Sequence, residues 1–274
     1  MLGAIIGDVV GSYYEVLEVT TKRTYEDRIK ILDRNTPLFT SNCSYTDDTV
    51  LTCAIYDAIV NGNCDYEKYL RMYGKKEINL GMDKYGRSRF GKGFVEWLNG
   101  DFIGTSYGNG CAMRISPVGF LFDNIDDIKK ESYKATIPSH NHPDSIKGAE
   151  AIGVLIYLLR KGISKEDVAD YVKNNYYNLD YDLEELQRNN EFTSKASICV
   201  PQAIYIFLVS NDFEDAIRKA ISIGGDTDTI GAIVGSLAEA YYGIPEAIKE
   251  EVKKYLNEDI IELIFNEDKV KKIR

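Results

Sequence analysis

No two of the five cysteines (Cys43, Cys53, Cys64, Cys111 and Cys199) stand close enough to pair as CxxC, and their number is odd. That argues against a disulfide framework or a zinc knuckle, and predicts free thiols in a reducing compartment. Histidine is scarcer still, with only His140 and His142. Their spacing would suit a metal, but no third histidine or cysteine accompanies them to complete a zinc site. The alternative for His142 is a polar turn entering a helix at Pro143. Lysine and arginine total 33 against 43 acidic residues, a net charge of −10, and no basic tract gathers them. Nucleic acid is therefore not an expected partner, and a small anion would need local cations to be held. The apolar N-terminal stretch "MLGAIIGDVVGSYYE" is too short to span a bilayer, carries Asp8 and lacks the basic start of a secretion signal. A cytoplasmic protein without membrane association is expected. Alternating strand patterns are scarce and no Pro/Ser linker interrupts the chain, so residues 1–274 read as one all-α domain.

Helical spacing fills most of what is present. Gly3, Gly7 and Gly11 recur every fourth residue, a smooth stripe that lets another helix approach closely. "DDTVLTCAIYDAIVNG" reads as a helix with Asp47 or Asp48 as N-cap and Asn61-Gly62 as its end. "AEAIGVLIYLLRKG" ends at Gly162, and "VPQAIYIFLVSN" places Pro201 near a first turn, where a missing N–H costs little. "FEDAIRKAISIGG" and "DTDTIGAIVGSLAEAYYG" follow, the latter ending at Gly243. From Pro245 an amphipathic, charged tail reads as a solvated helix pair. Residues 22–45, 74–110 and 174–195 carry no clear pattern.

Two segments combine paired carboxylates with hydroxyls at the start of an apolar helix: "YTDDT" at 45–49 and "GGDTDT" at 224–229. One reading is capping, since Asp and Thr are favoured at helix N-termini and the dipole suits negative charge. A cap needs one side chain, however, and each segment offers two carboxylates. If the two helix starts converge, Asp47, Asp48, Asp226 and Asp228 share a pocket, and like charges at that density either raise the carboxyl pKa values sharply or demand divalent cations. All-oxygen ligation suits Mg2+ or Mn2+, and two such ions would supply an activated water. Glu15, taken alone, reads as surface just past the first helix. "SYGNG" (106–110) is either a glycine-rich loop with backbone donors for a pyrophosphate or an ordinary tight turn.

The segments "GAIIGDVVGSYYE", "YTDDT", "SYGNGCAMRISPVG", "SHNHP", "VPQAIYIFL" and "SIGGDTDTIGAIVGSLAEAYYGIP", in this order along nearly the whole chain, resemble the ADP-ribosylglycohydrolase family. The resemblance implies an all-α fold, a compact orthogonal helix bundle, with a binuclear magnesium or manganese centre. It implies that Thr46, Asp47, Asp48, Asp226, Asp228 and Thr229 hold two ions. "GSYYE" is similar to the "GSFYE" of serine-linkage acceptor hydrolases, which gives Glu15 a catalytic role beside Asp47 and Asp228. Ser106, Tyr107, Gly108 and Asn109 become contacts to pyrophosphate and ribose. Where the family commonly has glycine before this serine, this chain has Thr105. Gly91 becomes a substrate-lining glycine, and His140, eight residues before Gly148, a ribose contact.

The function implied is hydrolysis of the glycosidic bond between ADP-ribose and an acceptor, which is an ADP-ribosylated protein or a smaller conjugate. "GSYYE" leans toward O-linked ADP-ribose, with arginine-linked, acetyl-ester and polymeric substrates still open. Two other classes stand beside it: a different two-metal hydrolase such as a phosphoesterase, and a catalytically silent ADP-ribose-binding protein. A monomer is the expected state.

Overall fold

A computed structural model describes residues 1–265, which form fifteen α-helices and no named strand. They run α1 (Leu2–Thr20), α2 (Tyr25–Ile29), α3 (Asp47–Asn61), α4 (Tyr66–Ile78), α5 (Lys92–Asn99), α6 (Ser116–Leu121), α7 (Ile125–Thr136) and α8 (Pro143–Arg160). Then follow α9 (Lys165–Asn175), α10 (Leu183–Asn189), α11 (Ala196–Leu208), α12 (Phe213–Ser222), α13 (Thr227–Tyr242), α14 (Glu246–Val252) and α15 (Glu258–Phe265).

The glycine stripe of α1 meets a second stripe on α13, made by Gly231 and Gly235. The two helices run antiparallel with backbones in contact. A Cβ on Gly3 would lie 2.1 Å from the Gly235 carbonyl oxygen, one on Gly7 1.9 Å from that of Gly231, and one on Gly11 2.3 Å from that of Thr227. Only hydrogen fits at these positions, and the Thr227 hydroxyl donates to the Gly11 carbonyl at 2.9 Å. The register has a functional consequence: it sets the second half of α1 beside the N-terminus of α13.

Helix α3 is placed by a buried carboxylate. Asp8, fully enclosed within α1, accepts hydrogen bonds from the backbone N–H groups of Thr46 (2.9 Å) and Thr49 (3.0 Å). It also accepts from the Thr46 hydroxyl at 2.7 Å and from the Thr49 hydroxyl. A buried carboxylate is tolerated where such donors replace water. Both N–H groups belong to the first turn of α3 or the residue before it, where no intrahelical acceptor exists. The N-termini of α3 and α13 therefore converge on the same side of α1. Around them, the apolar faces of α3, α8, α11, α12 and α13 close one hydrophobic core. Among the described residues no helix is long and apolar enough to cross a membrane, and all five cysteines are free.

Several local expectations are corrected. The cap of α3 is Thr46, whose side chain accepts from the Asp48 N–H, so neither Asp47 nor Asp48 has that work. Helix α11 starts at Ala196, five residues before Pro201, which lies inside the helix and not in its first turn. Helix α1 continues to Thr20, so Glu15 is within it and not beyond its end. The unpatterned stretches contain the short helices α2, α5 and α10, each too brief for periodicity to register. The tail does form two helices, α14 and α15, and buries Ile248, Val252, Ile260, Leu263 and Ile264; residues 266–274 lie outside the described residues.

Candidate active site

Five carboxylates from three distant segments gather where α1 meets the starts of α3 and α13. Oxygens of Asp8, Asp48 and Asp228 lie within 4.8 Å of one another, and so do oxygens of Glu15, Asp226 and Asp228. Asp228 belongs to both groups. Asp8 and Glu15 are seven residues apart on α1, two turns along one helical face. The helix dipoles of α3 and α13 point their positive ends at the cluster.

Capping does not account for these groups. Asp226 occupies the N-cap position of α13, yet its side chain makes no capping bond. It accepts instead from Asn109 Nδ2 at 2.8 Å. Asp48 is buried, and its Oδ1 has no hydrogen-bond partner among the described residues. Among the described residues, no lysine or arginine pairs with Asp8, Asp47, Asp48, Asp226 or Asp228. Glu15 alone has a cation in contact: Arg87 Nη1 donates to its Oε2 at 2.6 Å.

Crowding raises the carboxyl groups in consequence. Burial pushes Asp8 up to about 6 despite its four donors. Burial, with the charges of Asp8, Glu15 and Asp226, pushes Asp47 up to about 8. Asp48 and Asp228 stand well above the usual range, from burial and then from neighbouring carboxylates. Asp226 is raised by burial, and Glu15 by burial and then by Asp226, against the pull of Arg87. An uncompensated buried charge is costly, and the orphaned Asp48 oxygen lacks a positive or donor partner. Such an all-oxygen donor set fits a divalent cation.

The cluster closes one end of a cavity of about 600 Å³. Its walls include Glu15, Asp47, Asp48, Asp226, Asp228 and Thr229, together with Gly91, Ser106, Tyr107, Gly108, Asn109 and His140. Of the expected residues only Thr46 stays behind the wall, its hydroxyl oxygen 2.7 Å from Asp8 Oδ1 and 3.2 Å from Asp48 Oδ2. His142 lies apart as the N-cap of α8, accepting from the Asp144 N–H at Nδ1.

The glycine-rich loop is pinned from below. The Ser145 hydroxyl sits 3.0 Å from the Ser106 carbonyl and 2.9 Å from that of Gly108. Two of the loop's N–H groups are already used: Gly108 donates to Ser106 Oγ within the loop, and Asn109 to the Ser194 carbonyl just before α11. That of Tyr107 has no protein partner among the described residues, whereas that of Ser106 faces the Ser139 carbonyl across the bridge between Thr105 and His140. Thr105, in place of the family's glycine, forms a short antiparallel bridge with His140. That bridge ties the loop to the histidine's own segment. At Gly91 an added Cβ would meet nothing within 4 Å, so no protein neighbour requires glycine there.

Sequence reasoning missed Asp8, Arg87, Arg114 and Ser139. Asp8 had a signal, a carboxylate in an apolar run on the face that carries Glu15. Arg87 had none, because it lies in the unpatterned stretch 74–110.

Residues 1–272 match the family model described as ADP-ribosylglycohydrolase. Among curated proteins, the chain is 24% identical to the ADP-ribosylhydrolase ARH3 of Homo sapiens, over 95% of this chain and 90% of that one. It is 25% identical to the ADP-ribosylarginine hydrolase Tri1 of Pseudomonas putida (strain GB-1), over 93% of this chain and 72% of that one. A solved structure titled "ADP-ribosylglycohydrolase-related protein complex" shares its fold, with a TM-score of 0.68 at 22% identity and 93% of both chains covered. A match over nearly every residue, together with this fold, means that the chain belongs to the ADP-ribosylglycohydrolase family.

Proposed function

We propose that the protein hydrolyses the glycosidic bond joining the distal ribose of ADP-ribose to an acceptor, releasing ADP-ribose. The observation that carries this reading is the cavity itself, lined by the carboxylates of Glu15, Asp47, Asp48, Asp226 and Asp228 together with the glycine-rich loop and a histidine. Asp47, Asp48, Asp226 and Asp228, with Thr46 and Thr229, would hold two Mg2+ or Mn2+ ions. When bound, these ions supply Lewis-acid activation of water and of ribose hydroxyls.

The chain's own residues would do the rest. The free N–H group of Tyr107 binds a pyrophosphate oxygen and offsets part of the repulsion between that anion and the acidic wall. His140 contacts the ribose, and Asn109, bonded to Asp226, holds the loop in register with the carboxylates. Departure of the acceptor leaves oxocarbenium character at the anomeric carbon, which the nearby carboxylates stabilise. Glu15 orients the attacking water or holds the proton passed to the leaving group, with Arg87 fixing its carboxylate.

The "GSYYE" segment and the likeness to ARH3 favour an O-linked acceptor. The likeness to the arginine hydrolase Tri1 supports arginine-linked ADP-ribose as a second reading. The test presents serine-linked, arginine-linked, acetyl-ester and polymeric ADP-ribose to the purified protein, with either metal and with excess chelator. Metal-dependent release of ADP-ribose is expected, fastest from the O-linked substrate. Turnover of a generic phosphate ester alone would reassign the chemistry. Binding of ADP-ribose without turnover of any conjugate would make the protein a binder.

A further inference from the structure

Beneath the histidine side of the cavity lies a fully buried guanidinium. Arg114 Nη2 donates to the Ala135 carbonyl at 3.2 Å and to Ser139 Oγ at 2.8 Å. The same Ser139 Oγ lies 2.7 Å from His140 Nδ1. Among the described residues Oγ has no other hydrogen-bond partner.

Arg114 Nε and Nη1 have no partner among the described residues, but for the serine hydroxyl and the ring nitrogen one arrangement leaves neither unpaired. A guanidinium can only donate, so Ser139 Oγ accepts from Arg114. The hydroxyl then has one proton to place, and among the described residues His140 Nδ1 is the only acceptor bonded to it. Were Nδ1 the protonated nitrogen, the serine oxygen would accept twice and its own proton would be buried without a partner, a cost of about 1–3 kcal/mol. We infer that Arg114 and Ser139 are positioning residues that fix His140 in the tautomer carrying its proton on Nε2.

The far side of the ring is built to use that proton. Nε2 makes no hydrogen bond to the protein among the described residues, and it faces Gly108 and Gly110. A Cβ at Gly110 would come within 3.1 Å of Nε2, and one at Gly108 within 3.7 Å. Glycine at both places keeps the nitrogen open to the cavity it lines. Burial, and then the Arg114 charge, hold the imidazolium well below its ordinary value, so the ring remains neutral. His140 thus presents one N–H, and its complement is an oxygen acceptor on the ligand: a ribose oxygen or a phosphate oxygen. This part rests on the proposed ADP-ribose substrate, whereas the tautomer does not.

The experiment takes the full chain with 15N-labelled histidine rings, free of ligand, and records long-range 1H–15N correlations at neutral pH. With two histidines the spectrum holds two ring systems, and His142→Asn, which preserves a cap, assigns them. The expected result is a bare imine-type Nδ1 and a protonated Nε2 in His140. Ser139→Ala should give a mixture of both tautomers and weaken ADP-ribose binding about tenfold, while Ser139→Thr restores both. A protonated Nδ1 in the wild type, or an unchanged tautomer in Ser139→Ala, overturns the relay. If Ser139→Ala does not fold, the wild-type spectrum and Ser139→Thr decide it. A wild type with the expected tautomer but no affinity for ADP-ribose upholds the relay and removes the proposed substrate instead.

Discussion

Gly7 and Gly231 touch backbone to backbone, with no room for a methyl group on either: a Cβ on Gly7 would sit 1.9 Å from the Gly231 carbonyl oxygen. This contact holds α1 against α13, and so holds Asp8 and Glu15 against Asp226 and Asp228. Gly7→Ala is expected to destabilise the protein by about 3 kcal/mol or more, since backbone cannot yield as a side chain can. Gly91→Ala should stay within about 0.5 kcal/mol, because its Cβ enters open cavity. Its effect should appear in KM. Denaturant midpoints for both variants check the pair of expectations, and equal stabilities would refute the role given to the glycine contact.

Among the described residues, Glu15 and Arg87 form the one ion pair in direct contact with the acidic cluster, at 2.6 Å. Glu15→Gln keeps the shape but removes the charge and the proton-accepting ability. Turnover should fall by roughly 10²-fold or more, the scale of lost general acid–base catalysis. ADP-ribose affinity, read by calorimetry, should change much less. Unchanged turnover would remove Glu15 from the mechanism. A parallel collapse of both quantities would make it an organiser of the pocket.

Chelation should abolish turnover, and Mg2+ or Mn2+ should restore it, since the four aspartates expected to hold metal have no ion-pair partner among the described residues. Full activity in excess chelator, with no metal retained by elemental analysis, would refute the metal centre.

The raised carboxyl groups give the stripped protein a definite pH response. Asp8 rises from 3.8 to about 6 and Asp47 from 3.8 to about 8. Between the unfolded and folded values the native state binds more protons, so stability falls as pH rises through that window. The contribution of Asp8 is present below about 4 and lost by about 6; that of Asp47 is lost by about 8. Metal-free protein should therefore melt at a lower temperature at pH 8.5 than at pH 5, by about several degrees. Added Mg2+ should raise the melting temperature more at the higher pH. Calorimetric scans at both pH values, with and without metal, test this, and a flat profile would contradict it.

Asp228 sits in both carboxylate groups, so it carries the sharpest conflict between stability and activity. Asp228→Asn should make the metal-free protein more stable at pH 8 by relieving repulsion with Glu15, Asp226 and Asp48. The same change should lower turnover by several orders of magnitude, as should Asp47→Ala. A variant both less stable and fully active would invert the argument.

Much of the site was legible in the chain. "YTDDT" and "GGDTDT" announced themselves because each places more carboxylates at a helix start than capping needs. The spacing of Gly3, Gly7 and Gly11 announced close packing. The matching spacing of Gly231 and Gly235 was equally visible, but nothing local says that two stripes face each other. Asp8 was passed over because a carboxylate in an apolar run gains its meaning from donors 38 and 41 residues away.

The sequence by itself determined the helical periodicities, the two acidic helix starts and the glycines that permit contact, because those depend on neighbours within a turn or two. Only the tertiary structure decided that Asp8 anchors α3, that Arg87 reaches Glu15, that Thr46 caps and one oxygen of Asp48 is left without a partner, and that Arg114 and Ser139 stand behind His140. Those relationships arise from side chains that meet across long loops. Hydrogen bonding and desolvation act over a few ångströms in space, whatever the separation along the chain.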